Sequence, residues 1–152
     1  MNKTIIFGVT GLVLAGGLLW IASTPNQGDM AGHSMTPPDT SEIPQGAAIV
    51  QVALPAELSE QAQMGKRAFE AVCADCHGAN AAGQNGVAPP LVHKTYEPSH
   101  HGDYAFLAAV QNGVRSHHWD FGDMPPIEGL TEADVANVVA YVRALQRENG
   151  ID

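Results

Sequence analysis

The sequence predicts one small helical domain behind an apolar N-terminal segment and a proline-rich linker. Three observations carry that reading. Apolar residues recur with a helical period in three segments, each segment is bounded by residues that start or stop helices, and no strand–helix–strand pattern surrounds the only two cysteines. From Gln51 onward about 100 residues remain, within the usual size range of a single domain. The chain carries 16 acidic against 7 basic residues, a net charge of −9. Such a surface argues against nucleic acid and for partners with a basic docking face, their association weakened by salt. Solubility alone would account for the same acidity.

Residues 5–22 form an uncharged run preceded by Lys3. As a helix it would be about 27 Å long against a hydrocarbon core of about 30 Å, enough to span a bilayer. A cleaved signal peptide is the competing reading, and it needs small residues at the two positions that flank the cut. A cut after Ala22 places Trp20 two positions earlier, a cut after Ser23 places Ile21 there, and a cut after Thr24 leaves Pro25 next. These favour an uncleaved membrane anchor over 1–22. Lys3 inside and Asp29 outside would then put the domain on the periplasmic side of a bacterial inner membrane.

Residues 23–56 are a linker by composition, with Pro25, Pro37, Pro38, Pro44 and Pro55 and no helical period. A flexible segment of that length reaches about 30 Å. Its run at 47–54 is more apolar than a free tether, as expected of an extended arm packed on the domain or on a partner. The linker also holds Met30-Ala-Gly-His33-Ser-Met35, whose thioethers and imidazole are soft ligands suited to Cu(I). A polar linker with incidental Met and His explains the same residues.

The domain, 57–152, opens with a helix capped by Ser59 and running to about Val72, with Ala62, Gly65, Phe69, Val72 and Cys73 on one face. Glycine in a helix interior is unfavourable, so Gly65 points to close approach of another backbone. The helix leads into Cys73-Ala-Asp-Cys76-His77-Gly78. Two thiols at this spacing can add to the two vinyl groups of one haem, and the next histidine can turn its imidazole onto the iron. Zinc is the main rival, but it wants four tetrahedral ligands, and adjacent Cys76 and His77 are poorly placed to share one ion. A thioredoxin-like redox pair would expect the absent βαβ pattern.

Residues 79–88, rich in Ala, Gly and Asn, read as a loop closed by Pro89-Pro90-Leu91. An iron-bound histidine needs an acceptor for its other ring N–H, and a proline carbonyl here could supply it; a stiff turn explains the prolines equally well. A second helix, capped by Asp103 and stopped at Gly113, is expected to pack through Phe106, Leu107 and Val110 without chemistry of its own. Residues 117–126 are too irregular for a helix. There Met124, 47 residues after His77 and ahead of Pro125-Pro126, is suited to hold a thioether against the far side of the iron; core filling is its other reading. In the last helix Thr131 and Asp134 make the capping signature, Leu130 and Val135 a hydrophobic staple, and Val135, Val138, Val139, Val142 and Leu145 an apolar face. Arg143 and Arg147 fall in the last turns before Gly150. This helix should cross the first near Gly65 and Phe69, with Tyr141 close by.

From about Ser59 to Gln146 these features resemble a class I c-type cytochrome: Gly65 and Phe69 ahead of Cys73-x-x-Cys76-His77-Gly78, then Pro89-x-Leu91, Gly122-x-Met124-Pro125, and a terminal helix with Tyr141-Val142. The resemblance implies a compact all-α fold around one covalently bound haem c. It implies thioethers at Cys73 and Cys76, His77 and Met124 as axial iron ligands, and the Pro89 carbonyl as partner of His77. His93, His100, His101, His117 and His118 are not required by that pattern.

The function so implied is single-electron transfer between periplasmic or membrane respiratory partners, without an enzymatic reaction unless the chain is the cytochrome subunit of a larger oxidoreductase. Two alternatives come from other classes. Copper handling would use the linker group or the domain histidines, and a haem sensor or peroxidase would need a labile distal ligand.

Overall fold

The computed structural model describes residues 36–152. The anchor or signal segment expected at 1–22, and the Met30, His33 and Met35 group, lie outside the described residues. Among the described residues are four α-helices, α1 Glu60–Val72, α2 Ala74–His77, α3 Asp103–Asn112 and α4 Glu132–Glu148, with 3-10 turns at Ala79–Ala81 and Lys94–Tyr96. They include no strand, only isolated bridges pairing Gln84 with Ala88 and Val114 with Met124. No described helix is long and apolar enough to cross a membrane.

α1 starts where its cap predicts, with Ser59 Oγ accepting from the Ala62 N–H at 3.2 Å. Its buried residues are Ala62, Gly65 and Phe69. Val72, expected on that face, is instead 38% exposed, at the end of the helix where the chain turns into the next. α4 has the full capping box: Thr131 Oγ1 accepts from the Asp134 N–H, and the Asp134 carboxylate accepts from the Thr131 N–H at 2.9 Å. The Thr131 hydroxyl, donating to that carboxylate at 2.6 Å, and the Thr131 N–H together hold the Asp134 carboxyl below its ordinary pKa.

The two helices cross at Gly65. A Cβ built there would lie 1.8 Å from the Asn137 carbonyl oxygen and 2.9 Å from the Val138 nitrogen, so the two backbones touch. Four residues on, the Phe69 and Tyr141 rings pack at 5.7 Å between centroids. Ala62, Val138, Val142 and Leu145 complete this core.

Two local roles expected of charged residues are overturned. Asp103 does not cap α3; Gly102 takes that position, and the Asp103 carboxylate instead accepts from Arg143 Nε at 2.9 Å. Arg143 does not serve the α4 terminus in solvent. Its side chain is 8% exposed and donates to the carbonyls of Tyr96 and His101 and to Gln146 Oε1, with the guanidinium 5.0 Å from the Phe106 ring centroid. Backbone carbonyls buried beside α4 need donors, and a long guanidinium supplies several at once.

The second half of the segment 23–56 lies along the domain. The Asn85 side chain donates to the carbonyls of Thr40 and Ile43, and the Ile49 and Val50 N–H groups both reach the Ala82 carbonyl at 3.1 Å. Asn149 brackets Ala53, accepting from its N–H and donating to its carbonyl, each at 2.9 Å. The apolar run at 47–54 is thus an arm packed on its own domain, and the reach expected of a free tether does not apply to this part.

The helix crossing makes a test by sign. Helix propensity alone would have Gly65→Ala stabilise by about 1 kcal/mol. Backbone contact reverses this, and we expect a loss of about 2 kcal/mol or more in denaturant unfolding of the haem-loaded protein. For the buried cation, Arg143→Leu should cost about 2–4 kcal/mol by leaving the His101 carbonyl and Gln146 Oε1 without their donor. Asp103→Asn should cost less than about 1 kcal/mol, because the Asp103 side chain is 71% exposed.

Candidate functional site

Cys73 is both the last cap of α1 and the first cap of the one-turn helix α2. In helical backbone, positions i, i+3 and i+4 share a side. Cys73, Cys76 and His77 have that spacing, and all three line one cavity of about 470 Å³, within the range of small-molecule and cofactor sites. Gly78 ends the turn at φ 73°, and a Cβ there would stand 2.6 Å from the Gly83 carbonyl oxygen. The Gln84 side-chain amide closes it, donating to the carbonyls of Asp75 and Cys76 at 2.6 and 3.2 Å. Sequence reasoning gave Gln84 no role, since a lone loop glutamine carries no pattern.

His77 Nδ1 stands 2.9 Å from the Pro89 carbonyl oxygen. A carbonyl only accepts, so Nδ1 carries the hydrogen and Nε2 of the neutral ring keeps its lone pair. Burial lowers the His77 pKa and outweighs the opposing effect of the Pro89 bond, which favours that neutral form. Pro89 is held by its neighbours: the Leu91 N–H donates to the Ala81 carbonyl at 2.9 Å, and Pro90 lies against Gly83, where a Cβ would stand 2.5 Å from the Pro90 nitrogen.

Burial, with Cys76 alongside, pushes the Cys73 thiol up to about 11. The thioredoxin-like reading lacks its setting, since no strand lies among the described residues.

Met124 lines the same cavity. Its N–H and carbonyl both bond to Val114 at 2.9 Å, a two-way bridge that closes the base of the 114–124 loop. Gly113, at φ 72°, permits this; a Cβ there would stand 2.5 Å from the Met124 carbonyl oxygen. Gly113 is also the C-cap of α3, so the helix read as packing alone positions Met124. Through Ala105, Phe106, Ala109 and Val110 it forms a cavity wall as well. None of its residues is fully buried, because its inner side faces that space.

The lining fits covalently bound haem. It is mostly apolar, with the thiols, a neutral imidazole and a thioether at its edge. On its wall the buried Trp119 Nε1 has no hydrogen-bond partner. Tyr96 is near enough for that N–H to lower its hydroxyl pKa against the larger upward push of burial, yet no acceptor completes a bond. An orphaned buried donor calls for an acceptor, and a haem propionate is one. His101, His117 and His118 also line the cavity, whereas His93 and His100 do not.

The structure therefore brings Cys73, Cys76, His77, Pro89 and Met124 around one cavity. Comparison with curated proteins found none that matches. The family model for cytochrome c matches residues 62–146, more than half of the chain and the span that contains all five residues. By that match the chain belongs to the cytochrome c family, whose cofactor is covalently bound haem c with its iron.

Proposed function

We propose that this chain is a one-electron carrier in which a single haem c is bound through Cys73 and Cys76, with His77 and Met124 as its axial ligands. Haem supplies the redox change, its iron cycling between ferric and ferrous states. The protein supplies position and surroundings. The Pro89 carbonyl fixes the His77 tautomer and ring orientation, and the Val114 bridge holds Met124. Apolar walls from α3 and the 114–124 loop keep water away, which favours the less charged, reduced state. The observation that carries the reading is that imidazole and thioether line one cavity together with both thiols. With His77 and Met124 both bound, the iron would offer no open position to a substrate, and electron transfer needs none.

The donors and acceptors would be redox proteins with basic docking surfaces, met on the periplasmic side of the membrane to which residues 1–22 would anchor the domain. Exposed Asp120 and Asp123, beside the cavity-lining Phe121 and Met124, support such a docking face.

In the haem-loaded protein, Met124→Ala should lower the reduction potential, because Met/His ligation raises it. It should also remove the weak near-infrared sulfur-to-iron band of the ferric form and let the ferrous form bind carbon monoxide at neutral pH. An unchanged potential, with no such band in the unaltered protein, would give the distal position to another side chain. The docking face has its own readout. Reduction by a cationic complex should slow as salt rises and reduction by an anionic one should accelerate, measured by stopped flow.

A further inference from the structure

Four of the seven histidines meet beside the cavity, with ring centroids 4.3 Å apart for His117 and His118 and 4.5 Å for His100 and His101. We propose that His100, His101 and His118 form a binding site for a divalent transition-metal ion of the zinc or copper type, separate from the haem iron.

The geometry is that of convergent ligands. One nitrogen from each of the three rings lies within 4.8 Å of the others. His100 Nε2 and His118 Nε2 are 3.2 Å apart. Two imidazoles on one tetrahedral ion with the usual zinc–nitrogen distance stand about 3.3–3.4 Å apart, so this pair is already spaced for it. His101 donates its Nδ1–H to the Thr95 carbonyl at 2.6 Å, which leaves Nε2 as its ligand atom. His117 is not one of the three, since its ring nitrogens lie outside that converging group.

The ligands are also held. The His100 and His101 N–H groups both bond to the Glu97 carbonyl, at 3.1 and 2.8 Å, and Arg143 holds the His101 carbonyl. His118 comes from the 114–124 loop that ends at Met124, so a bound ion would tie that loop to the turn before α3. Imidazole ligands without a carboxylate favour zinc or copper over magnesium or calcium. Three protein ligands leave a fourth position for water.

The test uses the untagged, haem-loaded full chain, titrated with Zn²⁺ alone in competition with a chromophoric chelator. We expect one equivalent bound at micromolar affinity or tighter. His100→Asn and His118→Asn should each weaken it at least about tenfold, while His93→Asn and His33→Asn leave it unchanged. Zn²⁺ should raise the Tm of the unaltered protein and not that of a folded His118→Asn variant. The proposal is overturned by absence of stoichiometric binding, by an equal loss in His33→Asn or His93→Asn, or by a changed iron-ligand spectrum in metal-free His118→Asn, which would make His118 a haem ligand.

Discussion

Everything near the cavity depends on the contact of two backbones at Gly65. With the Asn137 carbonyl where a Cβ would be, α1 and α4 cannot be separated by even one methyl group without losing their packing. α1 passes directly into the motif at Cys73, so the crossing sets where the motif begins. α4 then reaches the segments on either side of the cavity. Tyr141 donates to Asn80 just after the motif, Gln146 to the carbonyls of Leu91 and Tyr96, and Arg143 to the turn that carries His101. One close contact thereby frames both walls.

The two proposed iron ligands are held by different means. On the His77 side, glycines at 78 and 83 let the backbone pack against itself and Pro90, while Gln84 ties off the end of α2. The carbonyl facing His77 is therefore part of a locally closed unit. On the Met124 side a two-residue bridge and one glycine close a long loop whose remaining ties include a bond from the Ser116 N–H to Asp123 and one from the Ser116 hydroxyl to the Trp119 carbonyl.

Sequence made plain what depends on neighbours in the chain. The caps at Ser59 and Thr131, the apolar face of α4 and the spacing of Cys73, Cys76 and His77 all follow from local periodicity. Gly65 was legible too, because a glycine in an otherwise good helix needs a reason. Met124 stood out on its irregular, proline-ended loop downstream of His77, whereas the choice of Pro89 among the loop prolines came through the family resemblance. Roles set by distant partners stayed hidden. Asp103 and Arg143, 40 positions apart, each had an ordinary local explanation as cap and as terminal cation, and only the fold shows that they meet. The same holds for Asn85 and Asn149, polar residues in loops whose task is to bind an arm. Histidine density was visible in the sequence; the convergence of three rings was not.

That convergence bears on the choice of distal ligand. An imidazole can bind iron only if a ring nitrogen is free and points to it. His101 has one nitrogen bonded to Thr95, and His117 has one bonded to Arg115. His118 lines the cavity but faces His100, which does not, nitrogen to nitrogen at 3.2 Å. Moving His118 onto iron through Nε2 would break its contact with His100, a penalty of about 1 kcal/mol, whereas the Nδ1 bonds of His101 and His117, like that of His77, leave Nε2 free. Met124 has no hydrogen bond to lose, since a thioether is at best a weak acceptor. An ion bound by His100, His101 and His118 would strengthen the distinction by holding two of the cavity's imidazoles to itself. The proposed metal site would thus take His101 and His118 out of competition with Met124 for the iron.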